Sequence, residues 1–242
     1  MSDDLHTDGL IDPYGESILQ ELEPAQRFSR WMFEAIEPFL GERTLEIGSG
    51  IGNISRQLPI REELALSDYS PEYRHRLQEA YADEQNIRIL ELDLTSDESF
   101  KDIQGQFDSI ICLNVLEHIE DDRGALSRMR GALSPGGKLI ILVPQYQSLM
   151  SKMDSLLGHY RRYSRRELTS KFEETGLNPI AMKNFNSLGA LGWLVSNTLM
   201  GSTSFGSGKI KLFDATVPVF KTVEKILPMP GLSLIGVASK EL

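Results

Sequence analysis

The sequence holds a single cysteine, Cys112, among its 242 residues, so no internal disulfide can form and the core alone must stabilise the fold. Set in the apolar stretch SIICL, Cys112 reads as a small core residue rather than a nucleophile. Basic residues are in short supply: 25 Lys and Arg stand against 35 Asp and Glu, a net charge of −10. A sequence-blind nucleic-acid binder needs a basic field, so no nucleic-acid partner is expected. The four histidines, His6, His75, His118 and His159, show no metal-ligand spacing, and no metal site is read from them. No apolar run nears the ~18 residues of a membrane span. The first residues are acidic where a secretory signal would be basic and then apolar. A soluble, cytoplasmic protein without a transmembrane segment is the expectation.

What is present is an ordinary globular balance, 40% hydrophobic and 25% charged, with length for one large α/β domain. Residues 1–23 read as a loosely ordered acidic N-terminus and 24–242 as the domain. From Pro24, Phe28, Trp31, Met32, Ala35, Ile36 and Phe39 recur at helical spacing. Short apolar runs then alternate with helical patterns: TLEIG, LALS, IRILEL, SIICL and KLIILV are strand candidates, with helices expected near Gly52, Pro71 and Asp121 and SPGGK read as a turn leading into the fifth strand. Continuous apolar runs rather than clean alternation imply a parallel sheet covered on both faces. Ser164 and Glu167 form a capping-box pattern, Gly176 ends that helix, and two more strands follow near LNPIAMK and LSLIGVAS. The expected fold is Rossmann-like: seven mostly parallel strands, helices on both faces, and a helical insertion (184–231) before the last strand.

Past the first strand lies LEIGSGIGN, with Gly48, Gly50 and Gly52 at alternate positions. Strand, glycine loop and helix together present backbone N–H groups to a ligand. The dinucleotide fingerprint G-x-G-x-x-G fails here, because its last place is Asn53. None of the seven tyrosines has lysine four residues on, as a short-chain dehydrogenase would require, and no G-x-S-x-G elbow occurs. The pattern from Glu46 to Gly52 is E-x-G-x-G-x-G. It resembles motif I of the class I methyltransferases that use S-adenosylmethionine (SAM), those with a type 11/12 methyltransferase domain. Asp68 closing the second strand, LELDL ending on Asp93 and Leu94, FDSIICLNVLEHIEDD and LSPGGKLIILVP follow in that family's order.

The resemblance implies SAM as cofactor, with Gly48, Gly50 and Gly52 beneath its carboxypropyl arm. It also implies ribose on Asp68, with Tyr69 beside it at the cofactor, adenine on Asp93 and Leu94, and the methionine part beside Asn114 and Val115. Glu46 is expected to brace the glycine loop. For Asp68 and Asp93 a purely capping role stays open. A base is useful for an alcohol acceptor and dispensable for an amine, and His118 and His159 are the two candidates. In GHYRRYSRRE, Tyr160, Arg161, Arg162 and Tyr163 read either as an anion clamp on the acceptor side or as a solvated face.

That stretch, with NSLGALGW, LFDATVPVF and PGLSLIGVASK, resembles bacterial methyltransferases associated with glycosyltransferases. This implies a small hydroxylated acceptor, such as a sugar or lipid-linked molecule. The insertion reads as a cap over the acceptor, with added core, a homodimer face or a weak membrane-surface contact as alternatives. Two further functional classes stay open: a nicotinamide-dependent dehydrogenase on the same fold, and a non-catalytic SAM- or partner-binding module.

Overall fold

A computed structural model describes residues 19–186, 207–226 and 230–242. Helix α1 (Gln26–Ile36) buries Trp31, Met32, Phe33, Ala35 and Ile36, the face its periodicity predicts. Pro38 then ends it in a 3-10 turn, Glu37–Phe39. Strands β1 (Arg43–Ile47), β2 (Glu63–Asp68), β3 (Ile87–Glu91), β4 (Phe107–Leu113), β5 (Leu133–Pro144), β6 (Leu177–Phe185) and β7 (Ser233–Lys240) form one seven-stranded sheet. Its order is β3-β2-β1-β4-β5-β7-β6, with only β7 antiparallel to its neighbours. Helices α2 (Pro71–Ala80), α3 (Asp122–Ala132), α4 (Lys152–Leu156), α5 (Arg165–Glu174) and α6 (Ser207–Ile226) complete the architecture.

Two apolar layers flank the sheet. One joins Leu45, Ile110, Cys112, Ile141, Met129 and Phe172; the other joins Leu64, Ile111, Ile140 and Val237 to α1 and to Val217 of α6. Cys112 is wholly buried, and burial pushes its thiol up, so it is core, as its sequence setting implies. β1 pairs with β2 on one side and β4 on the other, so chain order reverses between β1 and β4. Ligands of such sheets bind at that reversal, outside the carboxyl ends of the strands.

Three local expectations need correction. Near Gly52 there is no α-helix, only a 3-10 turn at Ser55–Gln57. Gly50 and Gly52 have positive φ, and Pro59 biases Leu58 away from helical backbone, so too little chain remains for an α-helix. SPGG is a bulge inside β5: Phe107 pairs with Leu133, and Ser109 next with Lys138. The Ser164 hydroxyl accepts the Glu167 N–H at 3.2 Å, capping α5; the full capping box belongs instead to Ser151 and Asp154 at α4.

Asn184 and Phe185, at the start of the expected 184–231 insertion, pair in β6. Residues 187–206 and 227–229, including SLGALGWLVSNTLM, lie outside the described residues. The described part, α6, packs on α1: Phe213 lies 5.3 Å from Phe28, and the Phe28 N–H donates to Asp214 at 2.9 Å. α6 continues through Pro218 as one helix. Among the described residues no helix is long and apolar enough to cross a membrane.

Candidate active site

The glycine loop sits at the sheet's reversal point. Gly48, Gly50 and Gly52 have φ of 72°, 54° and 81°, conformations that side chains resist. The Gly48 and Ser49 N–H groups both donate to the Ser67 carbonyl at 2.9 Å, and the Ser67 N–H donates to the Ser49 hydroxyl, fastening the loop to β2. A Cβ on Gly48 would lie 2.3 Å from the Val115 side chain, on Gly50 3.0 Å from Leu19, and on Gly52 3.3 Å from Leu77. The missing side chains therefore serve a left-handed backbone and close protein packing as well as whatever the N–H groups approach.

Glu46, in β1, is buried beneath this loop and accepts a hydrogen bond from the Ser55 hydroxyl. It braces through hydroxyls rather than backbone N–H groups. Burial pushes its pKa up to about 7, partly offset by the Ser55 and Ser49 hydrogen bonds. A carboxyl that is harder to ionise when folded contributes stability that is complete below the ordinary glutamate range and lost as pH rises through 7. Its share is about 3 kcal/mol. Urea unfolding of ligand-free protein at pH 5 and pH 8 should show this loss in the wild type, and Glu46→Gln should remove Glu46's share, leaving that of Glu117, which burial also pushes up.

Asp68 ends β2 and accepts the Gly50 N–H at 2.8 Å and the Ser70 N–H at 2.9 Å, one on each oxygen. Each oxygen keeps a lone pair for a ligand hydroxyl. Tyr69 is 66% exposed, and Arg74 is bonded to the Asp68 and Tyr69 carbonyls. Asp93 accepts both the Thr95 N–H and its hydroxyl at 2.7 Å on Oδ1, and Leu94 is buried. Asp68 and Asp93 thus shape the chain after their strands while standing at its carboxyl edge. Asn114 follows β4 with φ 55°, and Val115 packs against Gly48. Tyr146 and Asn186, after β5 and β6, also have positive φ, 66° and 60°. Backbone strain in non-glycine residues therefore gathers at the carboxyl edge, as it does at functional sites. Loop, two acids and crevice fit the adenosyl and methionine parts of SAM.

Beyond Val115 the chain makes a 3-10 turn, Leu116–His118, and there the fold assembles what spacing alone does not reveal. Glu117, His118 and His159 bring one potential donor atom each within 4.8 Å of one another. The two imidazoles meet edge to face, 4.6 Å between centroids. The Tyr160 N–H donates to the Glu117 carbonyl at 2.9 Å, tying the two segments together. Glu117 is 1% exposed; its Oε2 has no hydrogen-bond partner among the described residues, and burial pushes its pKa up to about 8. His118 and Tyr160, with Thr95, Ile119, Glu120 and Asp121, line a cleft of about 600 Å³.

His159 Nδ1 lies 3.0 Å from Asp154, which is buried and also takes a two-point ion pair from Arg162 at 2.8 and 3.0 Å. Burial opposes Asp154's charge, but hydrogen bonds from His159, Arg162 and Ser151 hold its carboxyl well below the usual range. Asp154 is therefore ionised, His159 Nδ1 is the donor, and a neutral ring carries its lone pair on Nε2.

Arg161 and Arg162 form neither a solvated face nor a clamp open to an anion. Arg161 pairs with Asp122 at 2.7 Å, and Arg162 is buried on Asp154. Tyr163, fully buried, donates to Asp122 at 2.9 Å, where Lys171 also pairs. Of that stretch only Tyr160 is well exposed, at 53%. Sequence reasoning missed Glu117, Asp122 and Asp154, whose partners lie far off in the chain or read equally as cap and surface residues.

Fold, glycine loop and crevice together define a class I SAM-dependent methyltransferase domain, with SAM as cofactor. The chain belongs to the methyltransferase-domain family, whose model matches residues 21–182. It is 30% identical over 98 residues to juvenile hormone acid O-methyltransferase of Drosophila melanogaster, covering 38% of this chain and 33% of that one. It is 28% identical over 112 residues to ubiquinone biosynthesis O-methyltransferase of Xanthomonas axonopodis pv. citri, covering 44% of each. The chain thus spans less than half the length of these relatives. In fold it is similar to a methyltransferase in complex with the Haloferax volcanii Trm112 activator, at TM-score 0.67 and 16% identity, covering 96% of this chain and all of that one. Haemonchus contortus phosphoethanolamine N-methyltransferase 2, solved with phosphomonomethylethanolamine and S-adenosylhomocysteine, gives TM-score 0.64 at 18% identity, over 95% of this chain and 58% of that one.

Proposed function

We propose that this protein methylates a hydroxyl of a small-molecule acceptor held in the cleft beside His118 and Tyr160. One observation carries the reading: His159 is fixed by the buried, ionised Asp154 so that Nε2 can accept a proton, next to His118 and Glu117. An oriented base of this kind matters for an alcohol and is superfluous for an amine. Two of the relatives are O-methyltransferases by name, which agrees with oxygen as the acceptor atom.

SAM, when bound, would supply a methyl group activated on its sulfonium sulfur, for transfer to the acceptor oxygen with S-adenosylhomocysteine as the leaving group. The chain's part is to align, to exclude water and to take one proton. Gly48 to Gly52 would carry the methionine end with Asn114 and Val115, Asp68 and Tyr69 the ribose, and Asp93 and Leu94 the adenine. His159 Nε2 would take the hydroxyl proton, and Asp154 would stabilise the resulting imidazolium. His118 and Tyr160 would border the acceptor, with Arg161 beneath the Tyr160 ring at 5.8 Å. Arg162 and Tyr163 would act by holding His159 and its segment in place. The 184–231 insertion would cap the acceptor, with α1 as its anchor.

Two measurements test this. Asp68→Ala should weaken SAM binding in calorimetry by ~1.5–3 kcal/mol, the worth of hydrogen bonds to a charged acceptor. Unchanged affinity would remove Asp68 from the site. A panel of hydroxyl, carboxyl and amine acceptors with methyl-labelled SAM should give transfer to hydroxyls that His159→Asn abolishes while SAM still binds. Transfer to amines alone, untouched in that variant, would overturn the hydroxyl reading.

A further inference from the structure

We propose that Glu117, His118 and His159 together bind one divalent first-row transition-metal ion. The inference deepens the acceptor reading above and rests on it for the identity of the cleft, but not for the ion's binding. With the ion in place His159 Nε2 is a ligand and no longer the proton acceptor, and the ion instead acidifies the hydroxyl it holds. Bonds of ~2.0–2.2 Å to one ion place donor atoms ~3–4.4 Å apart. The three donor atoms already lie within 4.8 Å of one another, so small side-chain rotations suffice.

Three independent features point to an ion rather than to an accidental cluster. Glu117 Oε2 is buried without a hydrogen-bond partner among the described residues, an arrangement a protein seldom leaves uncompensated. His159 gives its Nδ1 hydrogen to Asp154, which leaves Nε2 to donate its lone pair. This carboxylate–histidine pairing orients metal-ligating imidazoles generally. Asp154 is in turn locked by Arg162 and by the Ser151 cap, so the supporting shell is rigid before anything binds.

Two imidazoles and one carboxylate suit Mn, Fe, Co or Zn ions better than Mg or Ca ions, which prefer all-oxygen shells. Three protein ligands leave coordination positions open. Because His118 also lines the cleft, those positions suit an acceptor with two adjacent oxygens, such as a vicinal diol or a hydroxy acid.

The test uses the full chain stripped with a chelator and then titrated with Co and Mn ions, read by calorimetry and by the visible absorption of bound Co. The expected result is one ion per chain, with Co absorption typical of nitrogen ligation. Glu117→Gln and His159→Ala should each weaken that binding at least 100-fold while SAM affinity is unchanged. No binding up to millimolar ion, or binding that both variants leave intact, overturns the proposal. Undiminished methylation of a hydroxyl acceptor by chelator-stripped protein overturns the ion's part in holding the acceptor, while leaving the hydroxyl reading in place. One ion bound at these residues, with every hydroxyl in the panel refused, would sustain the metal site and sink the hydroxyl reading instead.

Discussion

Asp154→Ala is expected to destabilise the protein by about 3–5 kcal/mol, the cost of stranding one member of a buried ion pair. The stranded group is Arg162, buried in its two-point contact with Asp154. The carboxylate half of the capping box at α4, which accepts the Ser151 N–H and hydroxyl, and the orientation of His159 disappear with it. For a domain of this size the melting temperature should fall by roughly 6–20 °C. Adding Arg162→Met should recover much of the lost stability, because two apolar groups replace a desolvated pair. It should not recover methyl transfer, since His159 would still lack its partner. Thermal melts of the single and double variants check the first point and turnover checks the second. A single variant within 1 kcal/mol of wild type would mean that Arg162 finds another acceptor.

The second large effect is expected at Gly48. Alanine there meets two separate obstacles, a left-handed backbone and the Val115 methyl 2.3 Å away. The first costs ~1–2 kcal/mol and the overpacking ~1–3 kcal/mol more. Val115→Ala in the same chain should relieve only the second. The double variant should therefore lie between Gly48→Ala and wild type in urea unfolding, and its SAM affinity should follow the same order. Equal stability of the single and double variants would show that backbone conformation alone decides the position.

The centre of the sheet was legible because its apolar runs are buried on both faces, as in SIICL and KLIILV, whereas the edge strands β3 and β6 are not. The glycine loop was legible because three glycines and an acid twenty residues on form a local pattern. The helix expected after Gly52 was not there, since periodicity carries no information about a backbone already committed to positive φ. Arginine was the hardest residue to read. Arg161 and Arg162 look alike in HYRRY, yet one crosses to Asp122 and the other to Asp154 inside the fold. Nothing local distinguishes a paired guanidinium from a solvated one. The Glu117–His118–His159 cluster was hidden for a similar reason, because metal-ligand spacing is a rule about neighbours in sequence and His159 arrives from after β5.

The two ends of the insertion are stitched together. The Leu232 N–H donates to the Asn186 carbonyl at 3.3 Å, and the Gln145 N–H after β5 donates to the Leu232 carbonyl at 2.8 Å. The connection that carries α6 thus leaves and rejoins the sheet at one place. Doubling the length of a flexible connection closed in this way adds only ~0.6 kcal/mol of closure entropy. The sheet can then remain constant while the intervening segment is lengthened, shortened or exchanged.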